Sequence, residues 1–195
     1  KAFTQFQYFI TDDIKLNGGV ALLSYDVNNG ISLEPRIGLT KEVRDGVFSI
    51  ALGKHSQVEH FATYMYQNKN LETPNRNLDF AKAYHAIAGF KSTLYKNHHF
   101  NIEAYYQYLY DVPGELNGTY SVLNISELEE VRALSNIGEG KNYGVDLSLE
   151  RYASKGLYYM INASLYQSQY RDGNGYWRST EFDQRFNIKF LAGKE

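Results

Sequence analysis

Apolar and polar side chains alternate along most of this chain with a period of two. Between Tyr143 and Glu150, the residues Tyr143, Val145, Leu147 and Leu149 share one face of an extended strand, and Gly144, Asp146, Ser148 and Glu150 share the other. Residues 157–167 set Leu157, Tyr159, Ile161, Ala163 and Leu165 against Tyr158, Met160, Asn162, Ser164 and Tyr166. Residues 185–192 set Phe186, Ile188, Phe190 and Ala192 against Arg185, Asn187, Lys189 and Leu191, and residues 100–110 place Phe100, Ile102, Ala104, Tyr106, Tyr108 and Tyr110 on one face. Successive side chains leave a strand on opposite sides, so this period predicts strands with one face in an apolar medium. Weaker alternation over residues 3–10, 14–25, 33–43, 47–57 and 84–94 brings the number of predicted strands to nine. At roughly 8–14 residues they exceed the usual strand and approach the length that crosses a bilayer when tilted. One short helix is predicted over residues 126–134, where Ser126 followed by Glu129 resembles a capping box.

The connections carry a second pattern. Short turns rich in Asp, Gly, Asn and Lys fall at residues 11–13, 44–46, 95–98 and 153–156, and longer loops at 26–32, 58–83, 111–142 and 171–184. Strict alternation of the two predicts an all-β, antiparallel, up-and-down transmembrane β-barrel, partial at about nine strands. Its turns would be short and periplasmic, its loops long and extracellular. The polar face (Lys15, Arg36, Glu103, Asp146, Glu150, Asn162, Arg185 and Lys189) would line a wet lumen, and the face rich in Tyr, Phe, Leu and Ile would meet lipid. The same pattern fits a soluble antiparallel sheet whose apolar face is buried in a core. Strand length and the asymmetry of the connections favour the membrane.

Composition agrees. The 195 residues are 43% hydrophobic, yet no apolar run approaches the ~18 residues of a membrane-spanning helix. Eighteen tyrosines suit both a pleated surface and the lipid–water boundary. Cysteine is absent, which excludes disulfides and thiolate metal sites. A net charge of −2 with interspersed signs offers no footprint for nucleic acid. The chain opens directly on a predicted strand, so a leader that has been removed, or an internal position in a longer protein, is expected.

Candidate chemistry is sparse. Of the histidines His55, His60, His85, His98 and His99, the adjacent pair 98 and 99 is expected in a solvated turn and His85 on the polar face, with no convergent ligand set for a metal. Ser49, His55 and Asp146 fall on polar faces but not on neighbouring strands, and no G-x-S-x-G stretch occurs. Neither catalytic residues nor a cofactor are expected, and the chain is not expected to be an enzyme. Gly18 and Gly19 interrupt a strand pattern and suggest a bulge or a close approach. The aromatic loops, with Phe61, Tyr64, Tyr66, Tyr120, Tyr176 and Trp177, suit ligand recognition, but the same side chains serve to fold the loops or anchor the interface.

Several stretches carry a family resemblance. Leu33-Glu34-Pro35-Arg36-Ile37-Gly38-Leu39, Leu78-Asp79-Phe80-Ala81-Lys82-Ala83-Tyr84-His85 and Ala104-Tyr105-Tyr106-Gln107-Tyr108-Leu109-Tyr110-Asp111-Val112-Pro113 resemble barrel strands of TonB-dependent outer-membrane receptors of the Bacteroidetes type. So do Asn142-Tyr143-Gly144-Val145-Asp146-Leu147-Ser148-Leu149-Glu150-Arg151 and the closing Leu191-Ala192-Gly193-Lys194-Glu195. The resemblance implies a barrel of about 22 strands closed by a plug, importing a siderophore, cobalamin, glycan or peptide with energy passed on by TonB. Its implied partners are outer-membrane lipid, the TonB complex through the plug, and a nutrient ligand. Residues 1–195 carry no plug domain and no TonB box, and they end on Lys194-Glu195 rather than on an aromatic residue. They are therefore expected to form one internal segment of such a barrel. The rival expectations are a soluble all-β carbohydrate-binding module and an enzyme on a small outer-membrane barrel.

Overall fold

The computed structural model describes residues 1–94, 97–124, 132–154 and 156–194. Among them the chain forms a single antiparallel sheet of ten strands. These are β1 (Ala2–Phe9), β2 (Ile14–Tyr25), β3 (Gly30–Val43), β4 (Gly46–Gln57), β5 (Ala81–Leu94), β6 (His98–Gly114), β7 (Ser135–Ser154), β8 (Leu157–Arg171), β9 (Trp177–Ser179) and β10 (Phe186–Lys194). Each of the first eight pairs with the next in the chain. The short β9 and then β10 pair with β8, at Gln169–Arg171 and Leu157–Leu165 respectively. The nine predicted strands are all present; the three-residue β9 is the addition.

Register explains why the pattern is so regular. The ladder Leu39↔Ile50↔Ala88↔Ala104↔Val145↔Leu165↔Phe186 crosses seven strands without leaving the apolar face. One row along, Thr40↔Ser49↔Gly89↔Glu103↔Asp146↔Ser164↔Asn187 stays on the polar face. A slip of one residue at any strand would invert its faces, so hydrophobic alternation and register enforce each other. Pro35 is tolerated because the β3–β4 ladder starts at Arg36, which leaves its missing N–H without consequence. Gly18 forms no bulge. It pairs with Phe6, whose ring lies where a Cβ would stand, at 2.4 Å.

Among the described residues, no second layer covers the apolar face. Ile50 is 57% exposed, Leu52 60%, Leu165 65% and Phe190 70%. A soluble sandwich would bury these side chains, and a contiguous apolar surface of this extent is untenable in water. From Leu149 to Tyr143 the apolar stretch runs ~20 Å along the strand at ~3.3 Å per residue, close to the lipid-facing band of an outer-membrane barrel. Tyrosines gather above it: Tyr84 stacks on Tyr110 at 5.2 Å, and Tyr106 on Tyr143 at 6.3 Å. Their hydroxyls and rings fit the boundary between lipid and water.

The two ends of the sheet differ, as the connections predicted, with corrections. Tight turns join β1 to β2 and β3 to β4 at one end. At the other, the connections from β4 to β5, from β6 to β7 and from β8 to β10 are long. The connection expected as a loop over residues 26–32 is instead a four-residue turn, because Tyr25 pairs directly with Gly30. Asn29 takes a left-handed φ of 51°, and Asn28 Oδ1 accepts from Gly30 N at 2.9 Å, so two asparagines close it. β7 begins at Ser135, well before the expected residue 143, which shortens the loop before it. Most of the helix predicted over residues 126–134 lies outside the described residues; residues 132–134 are irregular. His98 and His99 open β6 rather than sitting in a turn.

These faces differ in what they tolerate. In the full protein reconstituted in lipid, Leu147→Arg is expected to lower unfolding stability by about 2–4 kcal/mol, and Ser148→Arg on the lumen face by much less. Denaturant titration of both variants checks this; equal losses would contradict the assignment of faces.

Candidate functional site

Two features stand where a barrel meets its ligand: the polar lumen face and a cap built from the long connections. On the lumen face a hydrogen-bonded row crosses four strands. Thr180 Oγ1 donates to Ser168 Oγ at 2.9 Å, and Ser168 Oγ to Asn142 Oδ1 at 2.8 Å. Asn142 Nδ2 donates to Gln107 Oε1 at 3.2 Å, and Gln107 Nε2 lies 3.4 Å from His85 Nδ1. The His85 ring packs against His55 at 4.5 Å between centroids. This row follows from pairing alone, because Gly53, His85, Gln107, Asn142 and Ser168 are successive register partners. Lower on the same face, Glu103 stands directly opposite Asp146.

The cap holds a cluster of buried apolar side chains, in which Tyr64, Leu78 and Leu134 pack with Tyr25, Val27, Val58, Tyr120 and Val122. Asparagines fasten it by doing the work of missing ladder partners. Buried Asn75 donates to the carbonyls of Thr63 at 3.0 Å and Arg132 at 2.7 Å, and its Oδ1 accepts from Leu134 N at 2.8 Å. Asn136 accepts from Asp79 N at 2.8 Å and donates to the Asp111 carbonyl at 2.6 Å. Asn28 donates to the Leu78 carbonyl at 2.7 Å. The connection from β6 to β7 also locks to the one after β8. Gly173 N donates to the Gly118 carbonyl at 3.0 Å, and Tyr170 Oη to the Thr119 carbonyl at 3.2 Å. Any Cβ at Gly173 would come within 1.9 Å of the Glu115 carbonyl oxygen.

Charge in the cap is managed locally. Buried Asp172 accepts from Asn174 N, Tyr176 N and Arg178 Nε, the last at 2.6 Å. The bond from Arg178 holds its carboxyl below the usual range. Glu59, at the entry to helix α1 (Phe61–Tyr64), is different: burial pushes its pKa up to about 7.

The structure disperses the residues that chemistry would need together. Ser49 and Asp146 share a row but stand three strands apart, ~14 Å at ~4.8 Å per strand, and His55 lies six residues further along β4. No nucleophile, base and orienting group converge there. His60 caps α1 through Nδ1, and His99 lies 3.3 Å from Thr93 Oγ1 with its ring against Tyr152. His98 is on the apolar face near Tyr159. No three His, Cys, Asp or Glu side chains gather as a metal site among the described residues. The aromatic loop residues divide: Tyr64 and Tyr120 pack inside the cap, Trp177 lies under Lys141 Nζ at 4.1 Å, and Phe61 and Tyr176 are exposed. Sequence reading missed the asparagine fasteners. Their only signal was the density of Asn in the loops, because partners 12 to 59 residues away leave no local pattern.

Two outcomes follow for the cap. Asn75→Ala is expected to weaken closure by about 2–4 kcal/mol, because three bonds are lost and a buried amide of Leu134 is left without an acceptor; faster hydrogen exchange at Leu134 checks it. Glu59, with an ordinary value of 4.5, holds its proton more tightly in the folded cap. Its contribution is complete below pH ~4.5 and is lost as pH rises through about 7. A spin label at Lys69→Cys should therefore gain mobility between pH 5 and pH 8, and Glu59→Gln should flatten that change.

No protein-family model and no curated protein sequence matches the chain. Solved structures of TonB-dependent outer-membrane receptors do match it. The FrpB iron transporter from Neisseria meningitidis is 18% identical with a TM-score of 0.65, over 97% of this chain and 28% of that one. FpvAI, in its complex with pyocin S2, is 12% identical with a TM-score of 0.69, over 97% of this chain and 25% of that one. The ferric yersiniabactin uptake receptor FyuA from Yersinia pestis is 13% identical with a TM-score of 0.63, over 98% of this chain and 30% of that one. The chain thus spans between a quarter and a third of these three receptors. At this identity the likeness is one of fold: the chain is built like a length of the barrel wall of a TonB-dependent outer-membrane receptor.

Proposed function

We propose that this chain is one segment, residues 1–195, of the barrel wall of a TonB-dependent importer in the bacterial outer membrane. The observation that carries the reading is the single sheet with an exposed apolar face on one side and a charged, hydrogen-bonded face on the other. Lipid on the first face and water or a plug on the second satisfy both. The outer strands β1 and β10 each have one unpaired edge among the described residues, so further strands would complete the wall. Plug and TonB contact would come from parts of the protein outside residues 1–195. The cap would form part of the extracellular mouth, with a pre-fastened shape that costs little ordering when a ligand arrives.

The cargo class is a scarce nutrient: a siderophore, cobalamin, a glycan or a peptide. The matched structures are described as an iron transporter, a ferric yersiniabactin receptor, an alcaligin receptor and a peptide transporter, which favours chelated iron or peptide without choosing between them. A wall of this kind supplies binding and passage rather than bond chemistry. The uncovered apolar face counts against a soluble carbohydrate-binding sandwich.

The test is made on the full protein expressed in a Gram-negative host. It is expected in the outer-membrane fraction with the heat-modifiable mobility of a barrel. It should also accumulate at least one of a panel of ferric chelates, cobalamin, peptides and glycans, and lose that uptake when the energy-transducing partner is deleted. Recovery in the soluble periplasmic fraction would sink the proposal.

A further inference from the structure

A hollow of about 590 Å³ is lined by residues of strands β1 to β5. Its floor is made of small residues. Gly38 pairs with Ala51, and Gly53 pairs with Arg36 on one side and His85 on the other. Space exists there because side chains are missing: a Cβ on Gly38 would stand 3.6 Å from Ala51 Cβ, and one on Gly53 would stand 3.2 Å from His55 Nε2. Arg36, His55, His85 and Gln5 rise around this floor. The imidazoles of His55 and His85 lie side by side, and Gln107 bonds His85 from behind.

Charge makes the hollow unlike the rest of the lumen wall. Arg36 makes no ion pair among the described residues. The nearest carboxylate along β3, Glu34, is buried and already engaged by Lys1 Nζ at 3.0 Å and by Ser56 N at 3.0 Å. At the far end of the strand Glu42 is held by Lys15. No carboxylate lines the hollow among the described residues, whereas Glu103 and Asp146 dominate the neighbouring stretch of wall. A guanidinium presents a rigid fork that matches two oxygens of one carboxylate or phosphate, and imidazole N–H groups add flanking donors.

We propose that this hollow binds a small oxyanionic solute, one bearing a carboxylate or phosphate, with Arg36 gripping the oxyanion and His55 and His85 flanking it. The inference rests on the receptor reading and names the chemistry of what that lumen holds. Gln5 and Asn17, also on the rim, offer amide donors to further oxygens of the same solute. A neutral sugar would leave the guanidinium without its counter-charge and so bind less well.

The test uses citrate as probe and maltose as its neutral control, titrated calorimetrically into the full protein. Citrate is expected to bind and maltose not. Arg36→Gln and His85→Gln should each weaken citrate about ten-fold, the loss of one charge-assisted or imidazole hydrogen bond. Lys189→Gln, a lumen cation outside the hollow, should leave citrate affinity unchanged. Absence of citrate binding, equal affinity in Arg36→Gln and the parent, or displacement of citrate by maltose would overturn the proposal. Heat-modifiable mobility of the same samples separates the two readings. An intact barrel that ignores citrate removes only the ligand, whereas a protein that forms no barrel removes the receptor reading as well.

Discussion

Backbone hydrogen bonding is the constraint on which the rest of this structure depends. A wall with lipid on one side has no water there to satisfy an unpaired N–H or C=O, so every strand must find a neighbour along its whole buried length. The ladders from β1 to β8 and on to β10 meet that demand with antiparallel pairing. Continuous pairing fixes register, and register sorts side chains into rows that stay on one face across many strands. The row from Leu39 to Phe186 and the row from Thr40 to Asn187 are two readings of this one geometric fact.

Where the ladders stop, the chain meets its backbone demand in another way. The long connections build a small core of the kind found in water-soluble proteins, with Tyr64 fully buried, and asparagine side chains stand in for absent strands. Asn75 is the clearest case, since its amide uses both donor and acceptor to tie two separate segments, at Thr63 and at Arg132 and Leu134. In the proposed wall the molecule would meet two solvent regimes, with the tyrosine layer containing Tyr84, Tyr106, Tyr110 and Tyr143 at their boundary.

The lumen face is differentiated rather than uniformly polar. Carboxylates collect at Glu103 and Asp146, while the hollow between Arg36 and His85 has donors and positive charge. Glycine matters there through its lack of bulk: Gly38 and Gly53 make a depression in a surface that longer side chains would fill. Such differentiation gives a wall the means to discriminate among solutes, which a smooth polar cylinder would lack.

Much of the fold was legible in the residues themselves. Alternation gave nine strands and their faces, because a strand's two-residue repeat is local and each of Leu147, Ser148 and Leu149 reports its side independently of its partners. Tight turns were legible for the same reason, through Asp, Gly and Asn. Alternation by itself did not choose between a lipid-facing wall and a buried sandwich, since both need one apolar face; strand length and the asymmetry of the connections favoured the wall, and the exposure of Ile50, Leu52 and Phe190 among the described residues agrees with it. Nor could it shorten residues 26–32 to a turn, extend β7 back to Ser135, or find the asparagine fasteners and the hollow at Gly53. The turn is local but hangs on the left-handed backbone at Asn29, whereas the fasteners and the hollow depend on contacts between residues far apart in the chain, such as Asn28 with Leu78 or Gly53 with Arg36 and His85. Local periodicity carries information about a strand's own two faces, and only the tertiary structure fixes which distant groups meet across them.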